Sequence, residues 1–230
     1  MANSALYAPS QPVTDLARAV TILGLTVLRQ LVLTTIVLAR GTGWRSPHQA
    51  LAVARTMANA VRTAAAARAL AQMAAAADPD EAFAAALLHD VGHLELVDEI
   101  GDPYAAYLLG GPALLEDLSP ELALAGVTHQ EVGLAFGWEW GLPHPLTSVM
   151  ATHHEGSAEV LPALVAIAER LVHGVAHAGL PADPRWEEVA SAAEAGLVRL
   201  GLSRGAWEAV LPRLRGEWAS LLDLFDLVAG

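Results

Sequence analysis

Apolar residues recur along this chain at spacings of three and four, and no stretch alternates apolar and polar residues over β-branched positions. That periodicity predicts an all-α protein without significant sheet. Helix-start signals punctuate the pattern. Ser46-Pro47 sets a capping hydroxyl before a proline at the first helical position, which predicts a long helix from Pro47 to about Ala77. Asp78-Pro79-Asp80-Glu81 supplies a cap, a first-turn proline and first-turn acids, opening a helix through FAAALLHD to a stop near Gly92. Ser119-Pro120 opens a short helix. Thr128-His129-Gln130-Glu131 reads as a capping box for a helix that ends at Gly141, before Pro143. A segment from Pro145 carries His153 and His154 and halts at Gly156. Three more helices are expected over about 158–178, 185–200 and 204–228, with Pro212 kinking or splitting the last.

The run from Val20 to Ala39 is nearly long enough to cross a bilayer. Arg29 and Gln30 at its centre argue against that, since an Arg there costs roughly 2.5–3.5 kcal/mol on insertion. Leu28, Leu31, Val32, Thr35, Ile36 and Ala39 recur instead as on the buried face of a soluble helix. The first residues lack a basic stretch followed by an apolar run, so no secretory signal is read and the cytoplasm is the expected compartment. The loop from Leu180 to Pro184 is the best boundary candidate, but too few helices follow it to stand alone. One domain over 1–230 is therefore expected, a single helical bundle with the carboxy-terminal helices of 184–230 packed on it.

Composition narrows the function classes. Hydrophobic residues make up 54% and charged residues 17% of the chain, which excludes disorder as the main state. Without cysteine there is no disulfide framework, thiol nucleophile or cysteine-type zinc site. A net charge of −12 speaks against nucleic-acid binding and against attraction to anionic membranes. Trp138 and Trp140 fall in an amphipathic helix and are expected to pack in the core.

The histidines carry the chemistry. His89-Asp90 closes one apolar helix and His153-His154 another; His129 begins a helix, and His48 sits in the first turn of the long one. A lone histidine is usually a surface or satisfied core residue, but dyads at several helix ends can converge on one interior pocket. Imidazole with carboxylate suits divalent iron, manganese, zinc or nickel. Neighbours on a helix point about 100° apart, so a dyad can offer one residue to a metal and the other to a second metal or a water. Gly133, four residues after His129, leaves room for a helix or ligand to come close. His144, His173 and His177 read as solvated or capping residues.

AFAAALLHDVGHLEL resembles the HD motif of the HD superfamily of metal-dependent phosphohydrolases. THQEVGLAFGWEWGLP followed by ATHHEG narrows the likeness to the HDOD branch, as do Asn3-Ser4-Ala5 with AVTILGLTVLRQLVL, the stretch from Trp44 to Ala54, and RLGLSRGAWEAVLPRL. The resemblance implies an all-helical HD-type bundle. It also implies metal ligands at His48, His89, Asp90, His129, His153 and His154, with Glu169 standing where the superfamily carries an Asp. Glu121 matches an acid of the HDOD branch that would support a ligand rather than bind the metal.

The chain departs from the pattern in four places. Pro47 and one additional residue disturb the Trp-to-His stretch. His93 replaces a Lys of enzymatic relatives. Ser157-Ala158-Glu159 stands where cyclic di-GMP phosphodiesterases carry Gly-Tyr-Pro. An HDOD domain is also expected to carry helices before Asn3. HDOD domains are regarded mostly as signalling modules, so the resemblance implies a regulatory domain with an HD-type metal site, little or no catalysis, and a protein partner. The alternatives are a metal-dependent phosphohydrolase acting on a phosphoester or nucleotide, with Asp90 as its catalytic carboxylate, and a scaffold whose histidine cluster is vestigial.

Overall fold

The chain enters its first described helix, α1 (Pro47–Ala74), through the expected cap: the Ser46 hydroxyl accepts the Gln49 backbone N–H at 3.2 Å, and Pro47 takes the first helical position. The computed structural model describes residues 46–110, 117–154, 157–178 and 186–224, all within one unit of the chain, Arg45–Gly230. Among these residues every regular element is a helix. From Met57 to Ala71 nearly every side chain of α1 is buried, and most are alanines. A helix that is apolar all round lies inside a protein. Its small side chains let α2 (Pro79–Leu88), α4 (Asp102–Leu109), α8 (Val160–Ala178) and α10 (Arg204–Leu224) pack on it from several sides. The alanine run that helix propensity alone accounts for in the sequence is thus also the packing axis of the domain.

The Asp78 carboxylate accepts the Asp80 and Glu81 backbone N–H groups and starts α2 as expected. The helix does not run on to Gly92. It ends at Leu88, and α3 (Val91–Ile100) begins after a break at His89-Asp90, with Asp90 as its N-cap residue at φ −100°, ψ 14°. Gly101, at φ 80°, then turns the chain into α4. Neither α3 nor α4 stands out in the sequence pattern. α5 (Ser119–Ala125) and α6 (His129–Glu139) start where the sequence places them, and both halves of the Thr128/Glu131 capping box are formed. α7 (His144–Thr152) runs into the second histidine dyad.

α9 (Trp186–Arg199) packs on α8, and α10 packs on α1, where Trp218 Nε1 donates to Arg62 O at 3.1 Å. Pro212 does not split α10, which is one helix through that position. Trp207, Leu211, Leu214 and Trp218, on one stripe at three-and-four spacing, are all buried, so both halves are held to the body while exposed Pro212 faces out.

A second correction concerns Trp138 and Trp140, which are 69% and 54% exposed. The buried face of α6 is His129, Gln130, Gly133 and Gly137. A Cβ on Gly137 would come within 2.7 Å of Thr147 on α7, so this interface is too close for an indole, and the tryptophans fall on the outer face. Among the described residues no helix is long and apolar enough to cross a membrane. The expectations for Val20–Ala39, the residues before Asn3, the stop at Gly156, the loop at 180–184 and the helix end near Val228 lie outside the described residues.

Candidate metal centre

Seven successive helices, α2 to α8, deliver polar side chains to one buried locus. His89 and Asp90 occupy the α2–α3 break, His129 opens α6, His153 and His154 follow α7, and Glu169 sits in the middle of α8. Glu121 of α5, His93 of α3 and Tyr104 of α4 close the locus on another side. His89, His129, His153 and Glu121 have almost no exposed surface, and His154 is half-buried. Helix ends are where the chain can deposit such residues, because adjacent polar groups inside an apolar helix would have to be buried without partners.

The hydrogen bonds fix which ring nitrogen faces inward. His89 Nδ1 lies 2.6 Å from Ala86 O, and His153 Nδ1 lies 3.0 Å from Val149 O. A carbonyl only accepts, so both Nδ1 atoms carry the hydrogen; in a neutral ring His153 Nε2 then presents a lone pair, while His89 Nε2 faces the carboxylates of Asp90 and Glu169. His129 Nδ1 donates to Glu121 Oε2 at 2.9 Å, which leaves its Nε2 in the same condition as that of His153. His129 Nε2 then lies 3.2 Å from both His153 Nε2 and His154 Nε2. Asp90 Oδ1 stands 3.5 Å from His153 Nε2 and 3.8 Å from His129 Nε2.

Lone pairs crowded this closely repel unless a cation lies among them. Buried Asp90 Oδ1 and His89 Nε2 have no hydrogen-bond partner; His89 Nε2 lies 3.2 Å from Asp90 Oδ2 without hydrogen-bond alignment. Metal–ligand bonds of about 2.0–2.2 Å put neighbouring donors about 3–3.5 Å apart, close to these separations. Asp90, His129, His153 and His154 therefore form one group that could hold a metal ion, and His89, His153 and Glu169 form a second. The donors fit a divalent transition ion, the rings of His89, His129 and His153 being held by a carbonyl or carboxylate behind them, as ligating histidines are.

Burial works against charge throughout the locus, yet the carboxylates stay ionised. Burial would raise Asp90, but His89, His153 and His93 around it hold it well below the usual carboxylate range. Glu169 is likewise depressed, by His89. Burial would lower His89, and the neighbouring Asp90 and Glu169 raise it well above an ordinary imidazole. His93 is pushed down to about 3 by burial and by its neighbour His129.

Of the residues assigned from sequence, His89, Asp90, His129, His153, His154 and Glu169 come together. His48 does not: it is exposed in the first turn of α1 and belongs to neither group. The Ser46 cap and Pro47 turn the buried side of that first turn onto Gln49, whose Nε2 donates to Asp102 Oδ1 at 3.1 Å. Glu121 accepts from His129 Nδ1, and with His93 and His129 it forms a third group of donors that could hold an ion. His93 is no free cation: its ring stacks on His129 at 3.9 Å between centroids, and its Nδ1 reaches Tyr104 Oη at 2.7 Å. Tyr104 escaped the sequence reading. Asp102-Pro103, a short polar residue before a proline like Ser46-Pro47, Asp78-Pro79 and Ser119-Pro120, was the signal for the helix that carries it.

An all-helical domain built around a buried histidine–carboxylate centre is the HD type of architecture. The chain belongs to the HDOD family: residues 1–156 match the HDOD domain. No curated protein matches it. Among solved structures it is similar to a protein of Shewanella amazonensis SB2B named as a candidate phosphohydrolase, with 22% identity and a TM-score of 0.62 over 93% of this chain and 77% of that one. It is similar at the same identity and TM-score to an HDOD domain protein of unknown function from Geobacter sulfurreducens, over 99% and 80% of the two chains. The MmoQ response regulator of Methylococcus capsulatus str. Bath aligns at 20% identity and a TM-score of 0.56, over 93% and 80%. At these identities the likeness is one of fold.

Proposed function

We propose that this chain is a regulatory HDOD domain that holds a divalent metal ion at Asp90, His129, His153 and His154, with little or no phosphohydrolase activity, and that signals through a protein partner. The observation that carries the reading is the inward set of imidazole lone pairs around a buried carboxylate oxygen that no proton donor satisfies. His89 and Glu169 would hold a second ion or balance the charge of the first. A vestigial scaffold would have no reason to keep this arrangement, since an unsatisfied buried polar group costs about 1–3 kcal/mol.

The case against robust catalysis rests on missing cations. A phosphoryl site commonly sets positive groups where charge develops. The chain has no lysine. Among the described residues no arginine pairs with a residue of the centre, and position 93 offers a neutral imidazole bound to Tyr104. The second reading, a phosphohydrolase, is favoured by half-buried His154, which leaves one side of the centre within reach of solvent. A bound ion would then supply Lewis acidity toward a phosphoester, with Asp90 as the carboxylate beside it.

The test is elemental analysis of protein purified without chelator, followed by assay of manganese-, iron-, nickel- and zinc-loaded protein against cyclic di-GMP and a panel of phosphoesters. We expect bound transition metal in the wild type, loss of it in Asp90→Ala, and no turnover above background. Absence of metal, or no rise in occupancy on incubation with any of the four ions, would refute the metal site. Turnover of about 1 per second that vanishes in His89→Ala would make the phosphohydrolase reading the right one.

A further inference from the structure

α5 is an inside-out helix. Glu121 is its only fully buried residue, while Leu122 and Leu124 are 50% and 41% exposed and Val127, just beyond, is exposed too. Leu118, Pro120 and Ala125 are half-buried and add modest packing. A helix of seven residues is far below the length that is stable alone in water. Its position must therefore come from what it touches, and its one deep contact is polar.

That contact is the back of the metal centre. Glu121 Oε2 accepts both the Nδ1–H of His129, at 2.9 Å, and its backbone N–H, at 3.1 Å. Glu121 Oε1 accepts the Tyr104 hydroxyl. With its one hydrogen given to Glu121, Tyr104 Oη accepts from His93 Nδ1 at 2.7 Å, and the His93 ring lies flat against His129. The circuit His129–Glu121–Tyr104–His93 closes on itself and joins α5, α4, α3 and the first turn of α6. All three hydrogen bonds to the Glu121 carboxylate come from this circuit, so Glu121 braces His129 from behind.

We infer that Glu121 is a positioning residue that couples α5 to the metal centre, so that occupancy of the centre sets how firmly α5 and its exposed leucines are held. The inference rests on the metal site proposed above. The argument is one of linkage. With α5 docked, Glu121 holds His129 in the tautomer and aim that an ion needs. With α5 undocked, His129 loses that support. Loss of such a partner typically costs about 10–100-fold in metal affinity. Reciprocity then requires saturating metal to shift the docking equilibrium of α5 by the same factor. The segment Leu118–Val127 is the element that reports the state of a buried centre to the surface, and its apolar outer face is the part that changes hands.

Amide hydrogen exchange reads this directly. The Leu122 amide bonds to Leu118 O and the Gly126 amide to Leu122 O, both at 2.9 Å, and both exchange when α5 opens. Exchange is followed in metal-free and zinc-saturated protein, with zinc binding measured separately by calorimetry. We expect zinc to slow these two amides about 10–100-fold. In Glu121→Gln, whose amide has only one accepting oxygen and so cannot accept from both His129 and Tyr104, zinc should still bind more weakly but slow the two amides by less than about 2-fold. The His153 amide, bonded to Val149 O at 3.1 Å on the ligand-bearing side, should keep its zinc protection. Tyr104→Phe, which removes one hydroxyl, should give an intermediate result and serves if Glu121→Gln does not fold. Zinc binding without slower exchange at Leu122 and Gly126 would overturn the coupling. Zinc that does not bind at all would instead refute the metal site.

Discussion

Gly92 is where the fold and the centre are most tightly linked, and replacing it with alanine is the sharpest test of both. A Cβ at this position would lie 2.0 Å from His129 O, 2.8 Å from His129 C and 2.9 Å from Gly133 N, whereas ordinary contact begins near 3.4 Å. All three neighbours are backbone, so no side chain can turn aside; α3 must withdraw from the first turn of α6 by about 1.4 Å. Overpacking that side chains can absorb costs about 1–3 kcal/mol, occasionally more. Here the cost belongs at the top of that range or above it, less about 1 kcal/mol that Ala gains over Gly in a helix. A net loss of about 3 kcal/mol lowers Tm by about 6–12 °C in a chain of this size. Withdrawal also carries Asp90 away from His129, so metal affinity should fall more than 10-fold, as for a disturbed supporting group. Gly137→Ala is the control. Its Cβ would meet Thr147 Cγ2 at 2.7 Å and Met150 Sδ at 3.1 Å, both side-chain atoms that can move, so it should melt within about 4 °C of wild type. The measurements are thermal melting by circular dichroism and zinc titration by calorimetry. A Gly92→Ala protein that melts within about 2 °C of wild type and binds zinc equally would refute the backbone contact between α3 and α6.

Asp90→Ala should lower metal affinity more than about 100-fold, beyond what loss of a supporting residue does. Its helical circular-dichroism signal should persist, because a chain this long buries enough surface to fold without a metal; a signal that collapses with the metal would contradict this. His48→Ala should leave the metal content unchanged, since His48 is exposed on α1; loss of metal in that variant would restore it as a ligand. Zinc- or manganese-loaded protein should hydrolyse cyclic di-GMP at or near background. Steady turnover that follows metal loading would count against the regulatory reading.

The fold was legible wherever a local rule decides the outcome. Ser46-Pro47, Asp78-Pro79 and Thr128 with Glu131 started helices as their side chains dictate, because a cap satisfies amide hydrogens that are free whatever the tertiary context. Local rules failed where packing decides. Periodicity could not show that α2 stops at Leu88, because His89 and Asp90 are drawn into the centre and α3 restarts beyond them. Trp138 and Trp140 read as core because indoles are large and apolar. What excludes them is the closeness of α6 to its neighbours, which is set by Gly92 and Gly137 on different helices. Pro212 should break a helix by its own chemistry, and Trp207, Leu211, Leu214 and Trp218 hold α10 together across it.

The site shows the same division more sharply. The dyads His89-Asp90 and His153-His154 nominated four of the residues that converge, because adjacency in sequence keeps each pair together in space; His129 came from its place at a helix start and Glu169 from the family resemblance alone. His48 belongs to no such pair. One residue of register in the first turn of α1 decides whether position 48 or 49 faces inward, and the Ser46 cap assigns the inward place to Gln49. Glu121 is the deepest case. In SPELALA a reader of hydrophobic pattern buries the leucines and exposes the acid, and the structure does the reverse. A carboxylate can take the inner face only where donors wait for it, and these are Tyr104 from α4 and the side chain and backbone of His129 from α6. Three successive helices have to fold back on one another before that arrangement is favourable. An acid buried at such cost beneath two exposed leucines is better explained by coupling the centre to the surface than by stability, since apolar replacement of a buried ionic contact is often neutral or stabilising.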